Sequence, residues 1–153
     1  MKFGTPISVV NSKETGDAPK NKFNVSKRED RTIDGVVFDS RLEMNCYLYL
    51  KEQGIPCELQ PSFELQPKFE LNGVKYRPIS YVADFRITIA GHTYIVDAKG
   101  MRTPDFKMKL KLMACIHKVQ IVEAGSVKKL RLFVEAARKG FVVPEKVIAP
   151  PTT

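Results

Sequence analysis

Between Tyr81 and Lys99 the side chains alternate in character with a period of two, interrupted at Ala90-Gly91-His92. Tyr81, Ala83, Phe85, Ile87 and Ile89 are apolar, and Asp84, Arg86 and Thr88 fall between them. After the interruption Tyr94, Val96 and Ala98 share one side, and Ile95, Asp97 and Lys99 the other. Successive side chains of a strand point to opposite faces, so residues 79–100 are expected to form a β-hairpin that carries Asp84, Asp97 and Lys99 on a common face. A slip of one residue would turn every apolar side chain out to water, which makes the register of such a pair a strong constraint on the fold.

The turn decides what the hairpin can do. If Ala90-Gly91 is a two-residue turn, Ile89 pairs with His92 and Asp84 comes opposite Asp97. Like charges in directly opposed positions, about 4.5–5.5 Å apart, destabilise a sheet, and a divalent cation reverses that sign. If Gly91-His92 is the turn, Asp84 meets Lys99 in an ordinary cross-strand pair. A regular three-residue loop breaks the shared face altogether.

The remainder of the chain frames this element. Its 153 residues, 43% hydrophobic and 27% charged, suit one soluble domain. No apolar run approaches the roughly 20 residues of a membrane span, and the first residues carry no signal-peptide core, so a cytoplasmic location without a membrane partner is expected. Cys46, Cys57 and Cys115 show no CxxC spacing and read as reduced, mostly buried thiols. A net charge of +8 favours a polyanionic partner. Six Lys or Arg (Lys99, Arg102, Lys107, Lys109, Lys111, Lys118) stand against the single acid Asp105 between Lys99 and Lys118, so the basic surface adjoins the carboxylates. Nucleic acid fits this pattern better than a membrane, because no segment pairs the charge with a large apolar face.

Residues 1–30 lack sustained periodicity and are expected to be a flexible basic arm ahead of one domain over 31–149, with a tail at 150–153. Asp34-Gly35 marks a small type I′ hairpin over 32–38. Residues 40–53 read as a helix, with Leu42, Cys46, Tyr49 and Leu50 at helical spacing and Gly54 at its end. Glu43 has two readings: a capping box with Ser40, or a side chain directed at the carboxylate site. Asn72-Gly73 signals a second hairpin, flanked by Pro67 and Pro78. Thr103-Pro104-Asp105 opens a helix on which Phe106, Leu110, Met113 and His117 form one face, His117 as a core-margin residue, while Lys107, Lys111 and Lys118 trace another. A strand over 119–122, a helix over 126–139 and a strand over 141–148 complete an α/β arrangement around one mixed sheet.

Glu43 on a helix, Asp84 on a strand and Asp97-Ala98-Lys99 on the next resemble the PD-(D/E)XK nuclease superfamily. The stretches Phe38-Asp39-Ser40-Arg41-Leu42-Glu43, Tyr81-Val82-Ala83-Asp84-Phe85 and Val96-Asp97-Ala98-Lys99-Gly100 resemble those of small phage-encoded endonucleases and Holliday-junction resolvases. Ala83 stands where the superfamily name implies proline, and Asp97 where glutamate is commoner. The resemblance implies a restriction-endonuclease-like mixed sheet flanked by helices. It further implies Mg²⁺ or Mn²⁺ held by Asp84, Asp97 and the carbonyl of Ala98, with Glu43 binding a second ion or orienting water. Lys99 would hold the attacking water or the scissile phosphate, and Arg102, Lys107, Lys111 and Lys118 would contact DNA. Cleavage of branched DNA in a bacterial host by a phage or prophage enzyme, as a homodimer making two nearly symmetric cuts, completes the expectation. A nuclease for linear or single-stranded DNA, or a non-catalytic DNA-binding module on the same scaffold, is the alternative.

Overall fold

In the computed structural model, which describes residues 26–140, a 3₁₀ turn at Glu29–Arg31 leads into the first hairpin. The strand expected over 141–148, the tail and residues 1–25 of the expected arm lie outside the described residues. Thr32–Ile33 (β1) pairs with Val36–Val37 (β2), and Asp34 and Gly35 take φ of 52° and 78°, the left-handed angles of a type I′ turn. The Arg31 guanidinium closes the base of this hairpin by donating to the carbonyls of Ser26 and Phe38. Helix α1, Arg41–Glu52, begins where the Ser40 hydroxyl accepts the Glu43 amide at 3.1 Å, and the chain leaves it through Gly54 at φ 64°.

Strands β3 (Cys57–Leu59), β4 (Ser62–Gln66), β5 (Phe69–Leu71), β6 (Val74–Tyr76) and β7 (Ile79–Val82) follow. β4 pairs with β7 and β5 with β6, so the segment is a two-tiered antiparallel ribbon with Asn72-Gly73 at its tip. The tiers divide at Pro67 and Pro78, which have no N–H to continue a ladder.

The long strand expected from Tyr81 through Ile89 is two strands. β7 ends at Val82, the chain bends at Ala83-Asp84, and β8 runs Phe85–Ile89. The cause lies in the partner chain: β3 and β4 are separated by Gln60, at φ 51°, and Pro61, so the strand opposite must also break. The bend is held by the Gln60 amide on the Asp84 carbonyl (2.9 Å) and the Ala83 amide on the Pro61 carbonyl (3.0 Å). β8 turns through Ala90 (φ 49°) and Gly91 (φ 79°) into β9, His92–Asp97, with Ile89 opposite His92 and Phe85 opposite Val96. Of the three turns open to the sequence, the two-residue Ala90-Gly91 turn is the one formed.

Helix α2, Pro104–Leu112, is capped by Thr103, whose hydroxyl accepts the Phe106 amide at 3.2 Å. It passes into a π-helical turn at Met113–His117 that ends at Lys118 in the left-handed region (φ 55°). β10 (Ile121–Glu123) then runs parallel to β9, and α3 (Val127–Arg138), capped by Ser126, follows.

The main sheet is mixed, in the order β10-β9-β8-β3. On one face Cys46 and Leu50 of α1 and Leu130, Val134 and Ala137 of α3 pack on Phe85, Ile87, Ile89 and Val96. On the other, Phe106, Met113, Leu65 and Tyr81 cover Ile95 and Ile121. The protein is thus mixed α/β, with helices on both faces of the sheet and further two-stranded pairs beside it. No helix among the described residues is long and apolar enough to cross a membrane.

Candidate active site

Three elements meet at the end of the sheet where β9 finishes and β8 starts. The first turn of α1 delivers Glu43, 3% exposed, whose Oε2 accepts the Asp39 amide at 3.0 Å. Glu43 thus caps its own helix, at the Asp39 amide and not at the Ser40 amide of a regular capping box, and it stands in the wall of a cleft. The bend before β8 delivers Asp84, whose Oδ2 accepts the Ala98 amide at 2.6 Å. The two-residue turn sets Phe85 opposite Val96, and Asp84, in the bend one residue before Phe85, stands near enough to Asp97 for their like charges to oppose each other.

Asp97 is 1% exposed. Its Oδ2 accepts the Tyr81 hydroxyl at 2.6 Å, while Oδ1 is buried with no hydrogen-bond partner among the described residues. The nearest positive charge is the Lys99 ammonium, 4.0 Å from Oδ1 and 5.2 Å from the centre of the Phe106 ring. Buried carboxylate oxygens are rarely left without a partner, because an unpaired one forfeits its hydration. The Asp97 carbonyl is satisfied by the Ala124 amide at 2.8 Å, which ties the strand end to the turn after β10.

Electrostatics follow from this crowding. Burial, and next the charge of Asp84, push the Glu43 carboxyl up to about 7, against the pull of the Asp39 and Ser40 amides. Burial and the charge of Asp97 push Asp84 up to about 6, opposed by the Ala98 amide and Lys99. Burial also raises Asp97, opposed by the Tyr81 hydroxyl and Lys99. The Cys46 thiol, behind the site, is pushed up to about 12 by burial and by the same carboxylates, and so is no nucleophile near neutrality.

The cleft in front measures about 580 Å³ and is lined in part by Asp39, Glu43, Asp84, Ala98, Lys99 and Gly100. Asp97 lies behind this lining. Among the described residues no three His, Cys, Asp or Glu side chains converge as a ready-made metal cage.

The basic residues divide. Arg102 is held bidentately by Glu123, at 2.7 and 2.9 Å, beside Asp97 at the same sheet end. Lys107 and Lys111 are exposed on α2. Lys118 does not continue their face, because the π turn and its left-handed backbone redirect the chain, and its ammonium returns to the Cys115 carbonyl at 2.8 Å. It lies three residues before Ile121, which pairs with Ile95, and so on the far side of β10 from the Glu123–Asp97 pair. His117 sits at the core margin, against Phe63 and within 2.7 Å of the Glu64 carbonyl. Cys46 is buried and Cys57 half-buried, but Cys115 is exposed; all three are free.

Tyr81 is the site residue that sequence patterning did not single out. Its alternation marked it as apolar core, and only the break between β7 and β8 turns its hydroxyl onto Asp97. Asp39 and Glu123 carry no sequence signal either: Asp39 reaches the cleft just ahead of the α1 cap, and Glu123 stands beside Asp97 through the parallel β9–β10 pair. No curated protein and no solved structure matches the chain at a significant level. A family model does match, over residues 20–132, and by it the chain belongs to the family described as Protein of unknown function (DUF1064).

Proposed function

We propose that this chain is a metal-dependent endodeoxyribonuclease of the PD-(D/E)XK type, with a restriction-endonuclease-like core. The observation that carries the reading is the buried Oδ1 of Asp97, which has no hydrogen-bond partner among the described residues and only the Lys99 ammonium, at 4.0 Å, for counter-charge, close to Asp84 and behind an open cleft. Asp97 is buried and Asp84 half-buried, and the charge of Asp97 opposes that of Asp84, a cost that a bound cation would offset.

The donor set fits Mg²⁺ or Mn²⁺, since Asp84, Asp97 and the Ala98 carbonyl offer hard oxygen ligands. The ion would supply Lewis acidity toward water and phosphate. Glu43, with its carboxyl near 7, is suited to take a proton from the attacking water, or to help hold a second ion. Lys99 lines the cleft, with its ammonium 4.0 Å from Asp97 Oδ1, and would hold the scissile phosphate or that water. Tyr81 keeps Asp97 oriented through Oδ2, leaving Oδ1 for the ion. Gly100, with nothing within 4 Å of the position a Cβ would take, leaves the backbone open to close approach by DNA. Lys107 and Lys111 would add phosphate contacts.

The resemblance to junction resolvases makes branched DNA, such as a Holliday junction, the proposed substrate. A homodimer is the form that delivers paired cuts, and the cytoplasm of a phage-infected bacterium the setting. The test is a cleavage panel on a four-way junction and a matched linear duplex, in Mg²⁺, Mn²⁺ and EDTA. Asp97→Asn and Lys99→Ala are expected to bind DNA as the parent does and to lose metal-dependent cleavage by about a hundredfold or more. Cleavage at the parental rate in either variant removes the assignment.

A further inference from the structure

The outer tier of the β-ribbon plays no part in the site described above. Phe69, Leu71, Val74 and Tyr76 are 43 to 57% exposed, although all four are large and apolar. The register, Phe69 opposite Tyr76 and Leu71 opposite Val74, gathers them on one face, and the two rings stack at 4.5 Å with their planes 6° apart. The other face carries Glu70 opposite Lys75, with Lys68 and Arg77 at the tier's ends, so three cations accompany one acid. The ribbon starts beside the carboxylates: the bend that fixes Asp84 is also its root. Its tip at Asn72-Gly73 lies ten or so residues away, a reach of up to about 35 Å.

We propose that this arm recognises DNA at places where base stacking is interrupted, its aromatic face covering an exposed base or base-pair face and its cations holding the adjoining phosphates. An intact duplex presents phosphates and polar base edges, with the flat faces of its bases hidden in the stack. A branch point, flap or frayed end exposes those flat faces, which aromatic side chains cover well. The charge of the opposite face suits a polyanion. A second copy of the chain fits less well: the four side chains leave roughly 350 Å² per copy, under half the ~800 Å² per partner of a stable interface. The inference rests on the reading of the cleft as a DNA site, and names the kind of DNA that is brought to it.

The test measures binding of the full chain in EDTA to a synthetic four-way junction and to a linear duplex of the same arm sequence. The parent is expected to prefer the junction. Phe69→Ala and Tyr76→Ala should each weaken junction binding about fivefold or more and leave duplex binding unchanged. Lys75→Ala should weaken both and lower the salt slope by about one. Because the chain has no tryptophan, Tyr76→Trp introduces a single tryptophan whose emission should be quenched by the junction and not by the duplex, whether or not the alanine variants keep the hairpin intact. Equal binding of both DNAs by the parent overturns the proposal, as does a tryptophan signal indifferent to the junction. Sedimentation showing a dimer that Phe69→Ala dissociates assigns the face to a second copy instead. Preferential junction binding without any Mg²⁺-dependent product would remove the nuclease reading and leave the arm's role standing. Cleavage by a parent that binds junction and duplex alike would do the reverse.

Discussion

Replacing Glu43 by glutamine separates the helix-capping role of this side chain from its place among repelling carboxylates. In the folded protein its carboxyl rises from an ordinary 4.5 to about 7, chiefly through burial and then through Asp84. A shift of this size corresponds to about 3.4 kcal/mol at about 1.4 kcal/mol per unit. Screening through the open cleft lowers this to about 2 kcal/mol. The sign follows from proton linkage: the folded state binds the proton more tightly than the unfolded chain. Glu43's contribution is thus fully present below about pH 4.5 and lost as pH rises through 7. Glutamine stays neutral and can still accept the Asp39 amide, at a loss of about 0.5–1 kcal/mol for exchanging a charged acceptor for a neutral one. Glu43→Gln should therefore be more stable than the parent by about 1 kcal/mol at pH 8 and equal or slightly less stable at pH 5. Urea denaturation in EDTA at the two pH values measures this directly. A variant less stable by about 1 kcal/mol at both would show a helix cap and nothing more, and would refute the electrostatic account.

Three further outcomes follow from the same geometry. Millimolar Mg²⁺ should raise the melting temperature at pH 8 and do so less at pH 5, because the ion competes with protons at Asp84, pushed up to about 6, and at Asp97; equal shifts at both would argue against binding there. Tyr81→Phe removes the donor to Asp97 Oδ2 and should destabilise the fold by about 1–3 kcal/mol at pH 8, with a smaller loss in acid where Asp97 carries its proton, as read by denaturation at both pH values. Lys107→Ala combined with Lys111→Ala should weaken DNA binding and lower its salt slope by about two, whereas Lys118→Ala should leave both unchanged; a salt titration of affinity distinguishes them.

Local chemistry made much of the fold legible. Asp34-Gly35, Asn72-Gly73 and Ala90-Gly91 form two-residue turns with both residues at positive φ, and Ser40, Thr103 and Ser126 cap the three helices. Each depends on atoms only a few residues apart. The break at Ala83-Asp84 was not legible in the alternation, because it is imposed by Gln60-Pro61 on the neighbouring strand, some twenty residues earlier. Lys118 leaves the face of Lys107 and Lys111 for a related reason: a helical count assumes 3.6 residues per turn, and the π turn at Met113–His117 does not keep it.

The sequence by itself determined that Asp84, Asp97 and Lys99 gather at one end of a hairpin and that Glu43 sits in the first turn of a helix, since periodicity and capping are properties of contiguous residues, although Asp84 proves to lie in the bend before β8 and Lys99 just past the end of β9. Tertiary structure decided what surrounds them. The Ala90-Gly91 turn sets the register that brings Asp84 near Asp97, packing brings Glu43 to the same cleft, and the strand break aims Tyr81 at one oxygen of Asp97 while the other has no hydrogen bond among the described residues. The physical reason is that burial and charge proximity, which push these carboxyls upward, arise from residues dozens of positions apart, and those distances exist only once the chain has closed.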